Sequence, residues 1–136
     1  MSATAQSYRG RTCGSRVDTE NTETILVVDD EPGIRTMVCA ALERAGYCVL
    51  LASDANEALE RAKHHDGLIE LMLTDLGLPD ADGRNLAAWF SHVRPEAKIM
   101  FMSGSIILEP ATTGLFLQKP FALSDLLGKV RALIRT

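Results

Sequence analysis

The side chains able to do chemistry stand directly behind apolar runs. Asp29-Asp30-Glu31 sets carboxylates in a row behind the run Glu23–Val28, and Pro32 follows at once. Asp75 closes the run Leu68–Thr74. Behind it, Leu76-Gly77-Leu78-Pro79-Asp80-Ala81-Asp82-Gly83 carries the Pro, Asp and Gly residues of a turn. Ser103 follows Lys98–Met102, and Lys119-Pro120-Phe121 follows Leu115–Gln118. Adjacent carboxylates repel one another, and neither strand nor helix propensity asks for them. A bound divalent cation removes that cost. An oxygen-only donor set that keeps water suits Mg2+ better than zinc, which prefers Cys and His.

These residues lie far apart in sequence, so the elements between them must bring them together. Glu23–Val28 reads as a buried strand. Pro32 suits the first turn of a helix in which Ile34, Met37, Val38, Ala41, Leu42 and Ala45 recur at helical spacing, with Gly46 as its C-terminal cap. Tyr47–Ala52 reads as a second strand. Asp54 and Glu57 have capping-box spacing and open a helix to about Lys63, with Ala55, Ala58, Leu59 and Ala62 inward. Leu68–Thr74 is the third strand. A third helix is predicted over Gly83–Val93, with Leu86, Trp89, Phe90 and Val93 as its apolar side and Pro95 blocking its continuation. Lys98–Met102 and Leu115–Gln118 are the fourth and fifth strands. Ser124 is expected to cap a last helix with Leu126, Leu127, Val130, Leu133 and Ile134 as its stripe. Strict alternation of strand and helix implies an α/β fold, a doubly wound five-stranded parallel sheet covered on both faces. The carboxyl ends of its strands share one edge, so Asp29, Asp30, Asp75, Ser103 and Lys119 converge there.

Composition narrows the function. The 136 residues suit one domain. A formal charge of −4 argues against nucleic acid as the main partner. No apolar run reaches membrane-spanning length and no signal peptide stands at Met1, so a cytoplasmic protein is expected. Cys13, Cys39 and Cys48 lack metal-ligand spacing and read as unpaired thiols. Residues 1–22 are polar and nearly free of large aliphatic side chains, and read as a flexible tail in which Arg9, Arg11 and Arg16 are solvated or touch an anion. His64 and His65 fall at a helix end, where they suit the negative terminus.

Asp29-Asp30 after a first strand, Asp75 followed by Leu-Pro and Asp-Gly, Ser103 after a fourth strand, and Lys119-Pro120-Phe121 together resemble a response-regulator receiver domain, the CheY-like phosphoacceptor of two-component signalling. The resemblance runs from about Thr24 to the C-terminus and assigns residues 23–136 to the receiver. It implies that Asp75 accepts the phosphoryl group from a phosphohistidine on a partner histidine kinase or histidine phosphotransfer protein. It implies a Mg2+ ion bound by Asp30 directly, by Asp29 mainly through water, by Asp75, and by the carbonyl of Gly77. Lys119, behind a cis bond to Pro120, would pair with Asp75 at rest and with a phosphoryl oxygen afterwards. Ser103 would bond another oxygen, and Phe116 would be either a rotating switch aromatic or an ordinary core ring. The output would be contact with a downstream protein target rather than turnover of a small substrate.

The sequence departs from the pattern between Ser103 and Lys119. Residues 105–114 are few for a helix, a loop and a strand entry, and Pro110 and Gly114 oppose a regular helix. The fourth helix is therefore expected to be shortened or replaced by a loop, leaving Ile106, Ile107 and Leu108 either packed on the core or open to a partner. Gly77 and Ser105 are small, which would leave the phosphoryl group open to water and shorten its life. Two other readings stay open on the same sheet: a Mg2+-dependent phosphatase with an aspartate nucleophile, and an interaction module that works without phosphorylation.

Overall fold

The structure, a computed structural model, describes residues 22–104 and 116–135. Its elements are β1 Thr24–Val28, α1 Pro32–Arg44, β2 Cys48–Ala52, α2 Ala55–His64, β3 Leu71–Asp75, α3 Gly83–Val93, β4 Lys98–Ser103, β5 Phe116–Gln118 and α4 Leu123–Arg135. The strands form one sheet in the order β2-β1-β3-β4-β5, and every pairing is parallel. Successive connections turn opposite ways from β1, which opens a crevice between β1 and β3 at the carboxyl edge. Val28 stands opposite Ala52 and Thr74, Asp75 opposite Met102, and Ser103 opposite Gln118. That register brings the strand ends level.

Both faces of the sheet are dry. On one, Ile25, Val27, Leu73, Met100 and Met102 pack with Val38 and Leu42 of α1 and Leu126 and Val130 of α4. On the other, Leu26, Val28, Met72 and Phe101 pack with Ala58 and Ala62 of α2 and Leu86 and Phe90 of α3. Burial on both faces explains why β1 reads as an unbroken aliphatic run rather than an alternating one. Each fully buried Leu or Ile contributes roughly 1.5–3 kcal/mol, so the strand ends sit on a stiff platform.

The helix signals read from the chain hold with local amendments. Gly46 follows α1 at φ +103°, a conformation that suits glycine. Asp54 accepts the Glu57 amide at 2.7 Å, while Glu57 bonds the amide and hydroxyl of Ser53 rather than Asp54 itself. The third strand begins at Leu71, three residues later than the apolar run, because Leu68 lies outside the sheet and is 60% exposed. Trp89 is 47% exposed, and Ala87 takes its place on the buried side of α3. Spacings of three and four residues admit either flank of a helix, so periodicity alone did not separate them. Ser124 does not cap the last helix. The carbonyl of Ala122 already accepts from Asp125 and Leu126, so the helix begins before Ser124. Neither Cys39 nor Cys48 is in a disulfide. No helix among the described residues is long and apolar enough to cross a membrane. The expectations of a flexible tail and a reduced fourth helix lie outside the described residues.

Candidate functional site

Asp29 is the most constrained of the acidic residues. Its amide donates to Ala52 O at 3.1 Å, which ties the end of β1 to the end of β2. Its carbonyl accepts Arg35 Nη1 at 2.7 Å. One carboxylate oxygen accepts the Glu31 amide at 2.9 Å, and the other accepts Lys119 Nζ at 2.8 Å. A buried charge needs such partners, and Asp29 is fully buried. Asp30, the next residue, is exposed.

Asp75 is placed by its own loop. The Leu76 amide donates to Met102 O at 3.0 Å, and the Gly83 amide closes the turn by donating to Leu76 O at 2.7 Å. Gly77 and Asp82 pair as an isolated antiparallel bridge, and the Asp82 carboxylate caps α3 by accepting the Arg84 amide at 2.7 Å. Gly83 is required by close approach: a Cβ there would run into the backbone carbonyl of Asp75 and lie 2.8 Å from Leu76 Cα.

Lys119 arrives from β5, with its amide donating to Ser103 O at 2.7 Å and its bond to Pro120 cis. Nζ lies 2.8 Å from Asp29, 3.6 Å from Asp75 Oδ1 and 3.6 Å from Glu31 Oε1. The lysine therefore hydrogen-bonds Asp29 and makes the ion pair with Asp75 that the resemblance implied at the longer distance. The Asp29 side chain is fully buried while that of Asp75 keeps some exposure, so Asp29 needs the ammonium more. Carboxylate oxygens of Asp29, Asp30 and Asp75 lie within 4.8 Å of one another, so the cluster can hold a metal ion. All three donors are hard oxygens and Asp30 faces solvent, which fits a hydrated hard cation.

The electrostatics follow from this crowding. Burial pushes the Asp75 carboxyl above its ordinary 3.8, and the charges of Asp29 and Asp30 push the same way. Lys119 and the Gly77 amide oppose the shift without overcoming it. Burial alone would lower Lys119, but the hydrogen bond to Asp29 and the charges of Asp29, Asp75 and Glu31 outweigh it and raise the ammonium above its ordinary 10.5. A cation in the crevice would relieve the repulsion that one lysine leaves standing.

Asp29, Asp30, Asp75 and Lys119 thus meet in one pocket. Ser103 is buried at the end of β4 beside it, and Gly77 lies in the loop behind Asp75. Phe116 packs against Phe101, the ring centroids 5.3 Å apart, with the Arg84 guanidinium 6.0 Å over it. Sequence reasoning gave no site role to Arg84 or Asp80 and did not pair Glu31 with Lys119. The Asp80 carboxylate accepts the amides of Ala55 and Asn56, the first of α2, at 2.8 and 3.0 Å. An Asp behind a Pro reads as a turn residue, and nothing in the chain links it to a helix 25 residues upstream.

Comparison with known proteins agrees with this geometry. A family model for the response regulator receiver domain matches residues 25–131. The chain is 33% identical to the response regulator receiver protein CpdR of Brucella abortus (strain 2308), over 81% of this chain and 95% of that one. It is 31% identical to the sensor kinase CckA of the same organism, over 86% of this chain but only 13% of the kinase. The crystal structure of a response regulator receiver protein from Sinorhizobium medicae WSM419 matches with a TM-score of 0.76 at 28% identity, covering 87% of this chain and 98% of that one. Sheet order, matched residues and relatives agree that the chain belongs to the response regulator receiver domain family of two-component signalling systems.

Proposed function

We propose that residues 23–136 form the receiver and that Asp75 is its phosphoacceptor. An Asp75 carboxylate oxygen attacks the phosphorus of a phosphohistidine on a partner histidine kinase or phosphotransfer domain. The P–O bond forms as the P–N bond breaks, and the imidazole leaves. In such a loose transition state, alignment and charge neutralisation supply most of the catalysis. Lys119 meets a phosphoryl oxygen, and the Ser103 hydroxyl donates to another. Asp30, Asp75 and the Gly77 carbonyl would hold Mg2+, with Asp29 acting mainly through water. The ion supplies charge neutralisation on the transferring oxygens. Hydrolysis restores the aspartate, so the domain switches protein contacts rather than turning over a small substrate. Ser103 and Phe116 read out the change, and small Gly77 leaves the acyl phosphate open to water. The place of action is the cytoplasm, and the output is an unidentified downstream protein.

The observation that carries this reading is the meeting of Asp29, Asp30 and Asp75 within 4.8 Å around a lysine 2.8 Å from Asp29. Incubation with Mg2+ and acetyl phosphate tests it. Intact mass should gain one phosphoryl group in the native chain and none in Asp75→Asn. Equal labelling of both proteins would refute the assignment.

A further inference from the structure

Asp80 belongs to no part of the chemistry above, yet its carboxylate makes a pair of long-range hydrogen bonds from the phosphorylation loop to α2. Its exposed carboxylate spans 25 residues to bond the amides of Ala55 and Asn56 at 2.8 and 3.0 Å. Those amides open α2, which already has a local cap in Asp54. Stability of α2 alone therefore does not require Asp80. The bonds matter for what they close. Asp29 N–H is tied to Ala52 O at the end of β2, Ala52 leads through Ser53 and Asp54 into α2, and Asp80 returns from α2 to the loop carrying Gly77. The ring encloses the crevice between the end of β1 and the loop behind Asp75.

We infer that Asp80 is a positioning residue for the cation site: by clamping the Gly77 loop to the first turn of α2, it sets the separation between the Gly77 carbonyl and the acidic side chains at the end of β1. Charge-assisted bonds to backbone amides at a helix N-terminus are strong for exposed groups, because the helix dipole adds to them. Without them the loop keeps its turn bonds, Gly83 to Leu76 and Leu78 to Ala81, and the bond from the Leu76 amide to Met102 O at its base, none of which reaches α2. The inference rests on the reading that Gly77 and the acids hold Mg2+.

Calorimetric titration of the full chain with MgCl2, paired with thermal melts, tests it. Asp80→Ala should weaken Mg2+ binding about tenfold, the usual size for loss of a group that orients metal ligands. Asp80→Asn, which keeps one acceptor oxygen for one of the two amides but no charge, should recover part of that loss. Asp54→Ala removes the local cap of the same helix and should lower Tm while leaving the Mg2+ affinity within about twofold, as a cap worth ~1 kcal/mol to the helix alone predicts. If Asp80→Ala does not fold, Asp80→Ser replaces it, since its short hydroxyl cannot span both amides. Native affinity in the Asp80 variant, or equal weakening in Asp54→Ala, would overturn the inference. Equal weakening by Asp80→Asn and Asp80→Ala would also overturn it, by showing an effect of charge rather than position. If the native chain and Asp30→Asn both fail to take up Mg2+, the metal reading falls as well, which separates the two failures.

Discussion

The two edges of the sheet use charge in opposite ways. At the amino edge, charged side chains satisfy backbone groups. Glu70 accepts the Thr24 amide at 2.7 Å, and Glu96 accepts the Ile69 amide at 3.4 Å. Arg94 gathers the carbonyls of Ala62, His65 and Gly67 behind α2, and Lys98 Nζ donates to Leu133 O at 2.8 Å near the end of α4. At the carboxyl edge, charges face charges, with Asp29, Glu31 and Asp75 all within 3.6 Å of one lysine. The carboxyl groups respond in opposite directions. Glu96 is buried somewhat, which raises it, but backbone amides and Arg94 bring it below its ordinary 4.5. Asp75 is held above its ordinary 3.8. One edge is built to stay folded, while the other holds unrelieved repulsion that a cation or a phosphoryl group can act upon.

Substitutions should therefore separate cleanly by edge. Lys119→Ala should slow acetyl phosphate uptake roughly 100-fold, the usual effect of deleting one charge-stabilising donor, while intact-mass time courses of Arg94→Ala stay near the native rate. The same Arg94→Ala should cost roughly 2 kcal/mol in urea unfolding, because it leaves several carbonyls without their charged donor. Loss of stability in Lys119→Ala with native labelling would dissolve the contrast. Gly83→Ala should cost about 1–3 kcal/mol by overpacking, since backbone atoms of Asp75 and Leu76 cannot yield as a side chain can, and circular dichroism melts would show it.

Acid–base linkage sharpens the comparison further. A carboxyl whose folded pKa is raised binds more protons when folded, so its contribution to stability is present below 3.8 and lost as pH rises through the raised value. Metal-free protein at pH 7 should then be stabilised by Asp75→Asn, and Mg2+ should raise the Tm of the native chain more than that of the variant. Glu96 behaves in reverse. Its lowered pKa gives stability above 4.5 that is lost as pH falls through the depressed value. Carbon-detected NMR titration should find Asp75 above and Glu96 below their ordinary values, and the opposite order would contradict the account of both edges. The smallest effect expected is on the aromatic pair: Arg84→Ala removes a cation over the Phe116 ring worth about 0.5–1 kcal/mol at an exposed site. A fluorinated Phe116 should report it as a changed chemical shift.

Much of this was legible in the chain, for reasons tied to particular residues. The β1 run, the Asp54–Glu57 spacing and Gly46 each describe a local event, and local events depend on neighbours in sequence. The convergence of Asp29, Asp30, Asp75 and Lys119 was legible as well, because a parallel sheet forces strand ends to one edge whatever the details of packing. Trp89 and Ser124 were misread where spacing allowed two flanks or two starting points and only neighbouring elements could choose.

The sequence by itself determined the alternation of elements, the sheet that follows from it, and the identity of the charges at its carboxyl edge. Only the tertiary structure decided which carboxylate holds the lysine, that Asp29 is buried while Asp30 faces solvent, and that Asp80 reaches the amides of α2. Periodicity and propensity act over a few residues and survive in the one-dimensional record. Partner choice among like charges depends on ångström differences in distance and desolvation, which exist only once the strands are side by side.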